Sequence, residues 1–142
     1  MTHSLMILRP LGAAIVLLAA VGLLGCGPSL PQTYPVNGKV LIKGTNKPYP
    51  GGTITLRLKS DDKVVADGTI EKDGSFTVTT KMYGKERPGA AAGEHTVLVE
   101  PAGGVAGPDG QLVIAFDEAE GSLTVEPKEN TPTIYVKRTV GK

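Results

Sequence analysis

The chain of 142 residues has no tryptophan, two phenylalanines and four tyrosines. Carbohydrate platforms commonly stack sugars on exposed aromatic rings, so this composition makes glycan stacking a minor prospect. Histidine occurs twice, at His3 and His95, and cysteine once. A single cysteine excludes any disulfide within the chain. Nowhere does the apolar spacing keep a helical period over ten residues with capping signals, which excludes a helical bundle. Charge of one sign is never concentrated: Lys and Arg number 15, Asp and Glu 14, with no long run of either. Nucleic acid and an anionic membrane surface both need a basic patch, and neither is expected as the main partner.

What the chain does have is one long apolar run. Leu11 to Leu24 is a stretch of fourteen residues without a charged or polar side chain, preceded by Arg9 and followed by Gly25 and Cys26. As ideal helix it rises about 21 Å, short of the roughly 30 Å hydrocarbon core, so it reads as the h-region of a secretory signal. The sole cysteine stands where such a signal is cut. Leu23, three positions ahead, and Gly25 directly before it make a segment that resembles the lipobox of bacterial lipoproteins. The resemblance implies that the Cys26 thiol takes a diacylglyceryl group, that cleavage falls before it, and that the new amino terminus is acylated. Residues 1–25 are then the signal peptide, and the rest works outside the cytoplasm, in the periplasm or at the cell surface. Membrane lipid is the expected partner through acylated Cys26, because two or more acyl chains anchor stably where one does not.

Removing residues 1–25 leaves 117, enough for one domain, and 14 basic side chains then face 14 acidic ones. Residues 26–35 read as the lipidated cysteine and a spacer stiffened by Pro28, Pro31 and Pro35. From Val36 onward the pattern alternates with period two. Strands are expected at Val36 to Lys43, Thr53 to Lys59, Val64 to Glu71, Phe76 to Thr79, His95 to Glu100, Gln111 to Phe116, Ser122 to Glu126 and Thr133 to Arg138. In the second of these Ile54, Leu56 and Leu58 share one face, and Thr53, Thr55, Arg57 and Lys59 the other. Gly68 inside the third is expected to mark a bulge. Asp73-Gly74 is a hairpin signal. Residues 81–93 read as a long loop crossing between sheets, and Pro101 to Gly110, with four glycines and two prolines, as an exposed loop. Seven or eight short strands in one domain of residues 36–142 argue for an all-β, antiparallel sandwich.

Four segments carry a second resemblance: Tyr34-Pro35-Val36-Asn37-Gly38-Lys39-Val40, Lys47-Pro48-Tyr49-Pro50-Gly51-Gly52-Thr53-Ile54, Asp67 to Phe76, and Pro88 to Val97. Together they are similar to the carboxypeptidase-regulatory-like domains of small bacterial lipoproteins, which share a transthyretin-like (prealbumin-like) sandwich. The resemblance implies an accessory or surface module without common catalytic residues. His95 stands in Gly93-Glu94-His95 where that family usually has tyrosine. Related enzymes that open hydroxyisourate rings use two histidines, an arginine and a Tyr-Arg-Gly-Ser ending. With one histidine after Cys26 and Arg138-Thr139-Val140-Gly141-Lys142 in that place, this activity is not expected.

The residues themselves point the same way. His95 lies mid-strand without a nucleophile elbow and reads as a partly buried or sheet-surface side chain. Zinc lacks nitrogen and sulfur ligands here. Asp61-Asp62 and Asp117-Glu118-Ala119-Glu120 lack the spacing of a calcium loop and read as solvated turn acids. No catalytic residue, metal or cofactor is expected. The expected function is a membrane-anchored, non-enzymatic binding or structural module of the cell envelope, with another envelope protein or a glycan as further partner. A carbohydrate- or calcium-binding module, or an accessory component of a hydrolase, is the alternative.

Overall fold

The computed structural model describes residues 30–103, 105–106, 109, 112–113 and 116–138. Residues 1–25, expected as a signal peptide, and Cys26 lie outside the described residues. Those described form thirteen strands and no helix: β1 (Thr33–Tyr34), β2 (Asn37–Ile42), β3 (Gly52–Leu58), β4 (Val65–Ile70), β5 (Ser75–Thr77), β6 (Thr79–Met82), β7 (Lys85–Pro88), β8 (Ala90–Ala91), β9 (Gly93–Pro101), β10 (Val105–Ala106), β11 (Leu112–Val113), β12 (Asp117–Val125) and β13 (Thr133–Lys137). The all-β expectation holds.

The strands do not stop at two facing antiparallel sheets. Neighbours run β3-β9-β12-β13-β2-β5-β4, and β4 pairs back to β3, closing a seven-stranded barrel. Closure removes the free edges of an open sheet. One pairing in the ring is parallel, β2 with β13, in register Lys39↔Thr133 to Ile42↔Val136. Hairpin-linked strands must be antiparallel, but β2 and β13 are joined through the whole intervening chain, so their direction is unconstrained. The other ring pairings are antiparallel.

Alternation fills the barrel. Ile54, Leu56, Val97, Val99, Val125, Ile134, Val136, Val40, Phe76 and Ile70 point inward and are buried, each side chain contributing about 1.5–3 kcal/mol of transfer free energy. A smaller cluster of Leu58, Val64 and Ala91, with Met82 against it, lies outside this core.

Residues 81–93, expected as a loop, instead carry the end of β6 and all of β7 and β8. The β6–β7 hairpin hangs from β4 outside the ring, and β8 pairs with β1. The apolar signal is weak there because β7 is exposed at every position. Nor does Gly68 mark a bulge: Ile70↔Phe76 and Asp67↔Thr79 fall on one register. The interruption is on the opposite side, at Val78, where β5 gives way to β6. The folded body also takes in part of the expected spacer, since Thr33–Tyr34 pairs with Ala90–Ala91 and the Arg87 guanidinium donates to the Pro31 carbonyl at 3.0 Å.

Register fixes two poles. Leu58↔His95, Val125↔Gly93 and Val65↔Lys81 lie at one end, together with β1 and β8. Gly52↔Pro101 and Asp117↔Val99 lie toward the other, from which the segment bearing β10 and β11 departs.

Candidate functional site

The seam between β9 and β12 is irregular. Asp117 and Glu118 pair with Val99 and Leu98, but the next pair is Ser122↔Thr96, so Ala119, Glu120 and Gly121 oppose Val97 alone. Such bulges recur beside functional sites because they bow a strand away from its partner. Gly121, at φ +75°, takes the turn of the chain. The seam opens there into a recess of about 560 Å³ between Thr96, Leu98, Phe116, Asp117 and Ala119, within the size range of small-molecule sites. Phe116 stands at its rim with half its surface exposed.

Asp117 corrects the reading of residues 117–120 as solvated turn acids. It begins a strand and is fully buried, and its Oδ2 accepts a hydrogen bond of 2.7 Å from the equally buried Tyr49 hydroxyl. Burial is the first cause that pushes the Tyr49 phenol above its ordinary range. The hydrogen bond to Asp117 and the charge on that carboxylate push the same way, against an opposing pull from Arg138. Tyr49 reaches this position because its backbone amide donates to the Val40 carbonyl at 2.9 Å. In the sequence Tyr49 stands within the segment Lys47 to Ile54, with no local pattern that marks a partner for it. The signal for Asp117 was the apolar stretch Val113 to Phe116 directly before it.

His95 is fully buried rather than partly so, facing inward on β9 across from Leu58 and Leu123. Nδ1 bonds the Gly93 carbonyl at 3.1 Å, which makes Nδ1 the protonated nitrogen of the neutral ring. Four residues of strand separate His95 from Val99, the partner of Asp117, roughly 13 Å. The histidine and the buried carboxylate therefore do not form an acid–base pair. Desolvation lowers the His95 pKa, outweighing the Gly93 bond. A depressed folded value means the unfolded chain binds the proton more readily. The contribution to stability is complete above the ordinary histidine value of about 6.5 and is lost as pH falls below it toward the folded value. Denaturant titrations between pH 7 and 5 should show this acid-side loss, and His95→Phe should flatten it.

The outer face of β3 carries Thr53, Thr55 and Arg57 as expected, beside Thr96, Leu98 and Glu100 of β9 and Asp67 and Thr69 of β4. Lys59 pairs with Glu94 at 2.7 Å. Asp61 serves its own turn, accepting from the Lys63 amide at 3.1 Å. Among the described residues no three His, Cys, Asp or Glu side chains cluster as a metal site. A second, open hollow of about 650 Å³ runs along the β2–β5 seam. Phe76, packed against the bare backbone of Gly38, floors it, and Lys39, Glu71, Thr131 and Thr133 line its walls. Cys26, the one residue expected to be modified, lies outside the described residues. No protein family matches the chain, and no curated protein or solved structure matches it.

Proposed function

We propose that this protein is an extracytoplasmic lipoprotein, anchored by acylated Cys26, whose β-barrel is a non-enzymatic binding module of the carboxypeptidase-regulatory-like, prealbumin-like kind. The observation that carries the reading is Leu23-Leu24-Gly25-Cys26 at the end of an apolar run too short to span a bilayer. Two features of the fold support it. The first described strand, β1, pairs with β8 at one pole, so lipid attachment and the start of the described fold are close in sequence. The β10–β11 segment departs from the opposite pole, the end a tether leaves free for partners. The glycan alternative draws on the hydroxyl-lined hollow of the β2–β5 seam.

Cys26→Ser tests the anchor. The wild-type mature chain should sediment with membranes and carry the mass of a diacylglyceryl group on Cys26, whereas the serine variant should remain unacylated with its leader attached. A wild-type chain cut elsewhere, or with a free thiol, would overturn the reading.

A further inference from the structure

We propose that the β6–β7 hairpin is a second membrane contact, which seats the barrel on anionic phospholipid headgroups with Tyr83 at the surface. The inference rests on the acylated Cys26 proposed above, but its own grounds lie in the barrel.

The first ground is reach. Cys26 precedes Pro31 by five residues, and five extended residues span at most about 18 Å. Pro31 is held by the Arg87 guanidinium at 3.0 Å, and Pro88 by Thr33, whose hydroxyl donates to its carbonyl at 2.7 Å. Strand β7 therefore lies alongside the segment that leads to the lipid. A barrel tethered there cannot carry this hairpin far from the bilayer.

The second is chemistry. The hairpin carries Lys85 and Arg87 as well as Lys81, which is paired with Asp67 at 3.1 Å, against the one hairpin acid Glu86, inside a chain that is neutral after Cys26. Lys85 and Arg87 share the face of β7 that the tether segment crosses, by their register with Met82 and Thr80. Of the large apolar and aromatic side chains, Tyr83 at the tip is the most exposed of those described, at 63%. Tyrosine favours the membrane interface, where its ring is shielded and its hydroxyl wet. Lysine and arginine are attracted to anionic headgroups within about a Debye length of the surface. A tether raises the effective concentration of that surface, so contacts too weak to recruit a free protein still orient a bound one.

The third is strain. Tyr83 and Gly84 both have positive φ, +52° and +70°, the two-residue turn that asparagine and glycine fill without penalty. An aromatic residue in that backbone costs stability that asparagine would spare. Strain kept at an exposed tip points to a use for the ring.

The absence of tryptophan makes the test direct. Acylated full-length protein carrying Tyr83→Trp is reconstituted in phosphatidylcholine vesicles with and without phosphatidylglycerol. A second sample carries Tyr135→Trp, on the opposite wall of the ring. With phosphatidylglycerol, the indole at position 83 should shift to the blue and be quenched by brominated lipid at least about twofold more than the one at 135. Raised salt or Lys85→Gln should reverse this. In the tryptophan-free parent, Tyr83→Asn should raise the melting temperature in detergent. An indole at 83 that stays water-exposed on an acylated chain overturns the hairpin contact alone. A mass spectrum showing free Cys26 overturns the anchor, and the contact with it. Equal quenching at 83 and 135 also overturns it.

Discussion

Gly68→Ala should destabilise the barrel by about 3 kcal/mol or more, at the upper end of overpacking penalties. A Cβ at position 68 would lie 1.8 Å from the Thr77 carbonyl oxygen and 2.9 Å from its carbon. Both are backbone atoms, so no side chain can turn aside. Thr77 and Val78 mark the point where one strand changes partners: β5 pairs with β2 and closes the ring, while β6 leaves to pair with β7. The Val78 carbonyl is committed to the Gly89 amide at 2.8 Å. Moving this crossing away from an added methyl therefore strains β2 and the hairpin together. For a domain of this size the loss corresponds to a fall in melting temperature of roughly 10–20 °C. Thr69→Ala, at the exposed next position, should stay within about 0.5 kcal/mol. Thermal unfolding of both variants checks the claim, and equal melting temperatures would refute it.

The strands that were legible in the sequence are those whose inner face is apolar. Ile54, Leu56 and Leu58 announced β3, and Val97 and Val99 announced β9, because a half-buried strand must alternate. The β6–β7 hairpin hid for the opposite reason. It has little buried face, and its turn is made by Tyr83-Gly84 rather than by an Asn-Gly or Asp-Gly pair. Barrel closure was illegible because it depends on β3 pairing with both β9 and β4, a long-range fact that no local period encodes. Gly68 is a special position because of a close backbone approach and not because of the expected bulge. A glycine in a strand signals either a bulge or a close approach of backbone, and sequence alone does not choose. For the candidate site the balance is similar. Phe116 and Asp117 were read as a strand end and a turn, whereas β12 starts at Asp117 and the bulge falls at Ala119-Glu120-Gly121.

Tyr49→Phe and Asp117→Ala should destabilise unequally. The phenylalanine variant keeps the ring and its packing but removes the only donor that Tyr49 gives the carboxylate. A hydrogen bond to a charged group contributes about 1.5–3 kcal/mol, and that is the expected cost. Asp117→Ala removes the acceptor and leaves the Tyr49 hydroxyl buried. It also takes away the charge facing it and opens space beneath the bulge, so about 3 kcal/mol or more is expected. The size of the Tyr49→Phe loss is the diagnostic, because removing a hydroxyl that merely filled space would cost little. Alkaline pH gives an independent reading. The folded chain holds the Tyr49 proton more tightly than the unfolded chain does. Stability from this group is therefore complete below the ordinary phenol value of about 10 and falls as pH rises past it. Phenolate absorbance, taken as wild type minus Tyr49→Phe, should appear only together with unfolding, and Tyr49→Phe should abolish this part of the alkaline slope. A difference signal that develops while the barrel remains folded would mean the Tyr49 hydroxyl is open to solvent, and the recess would then have no buried polar floor to offer a ligand.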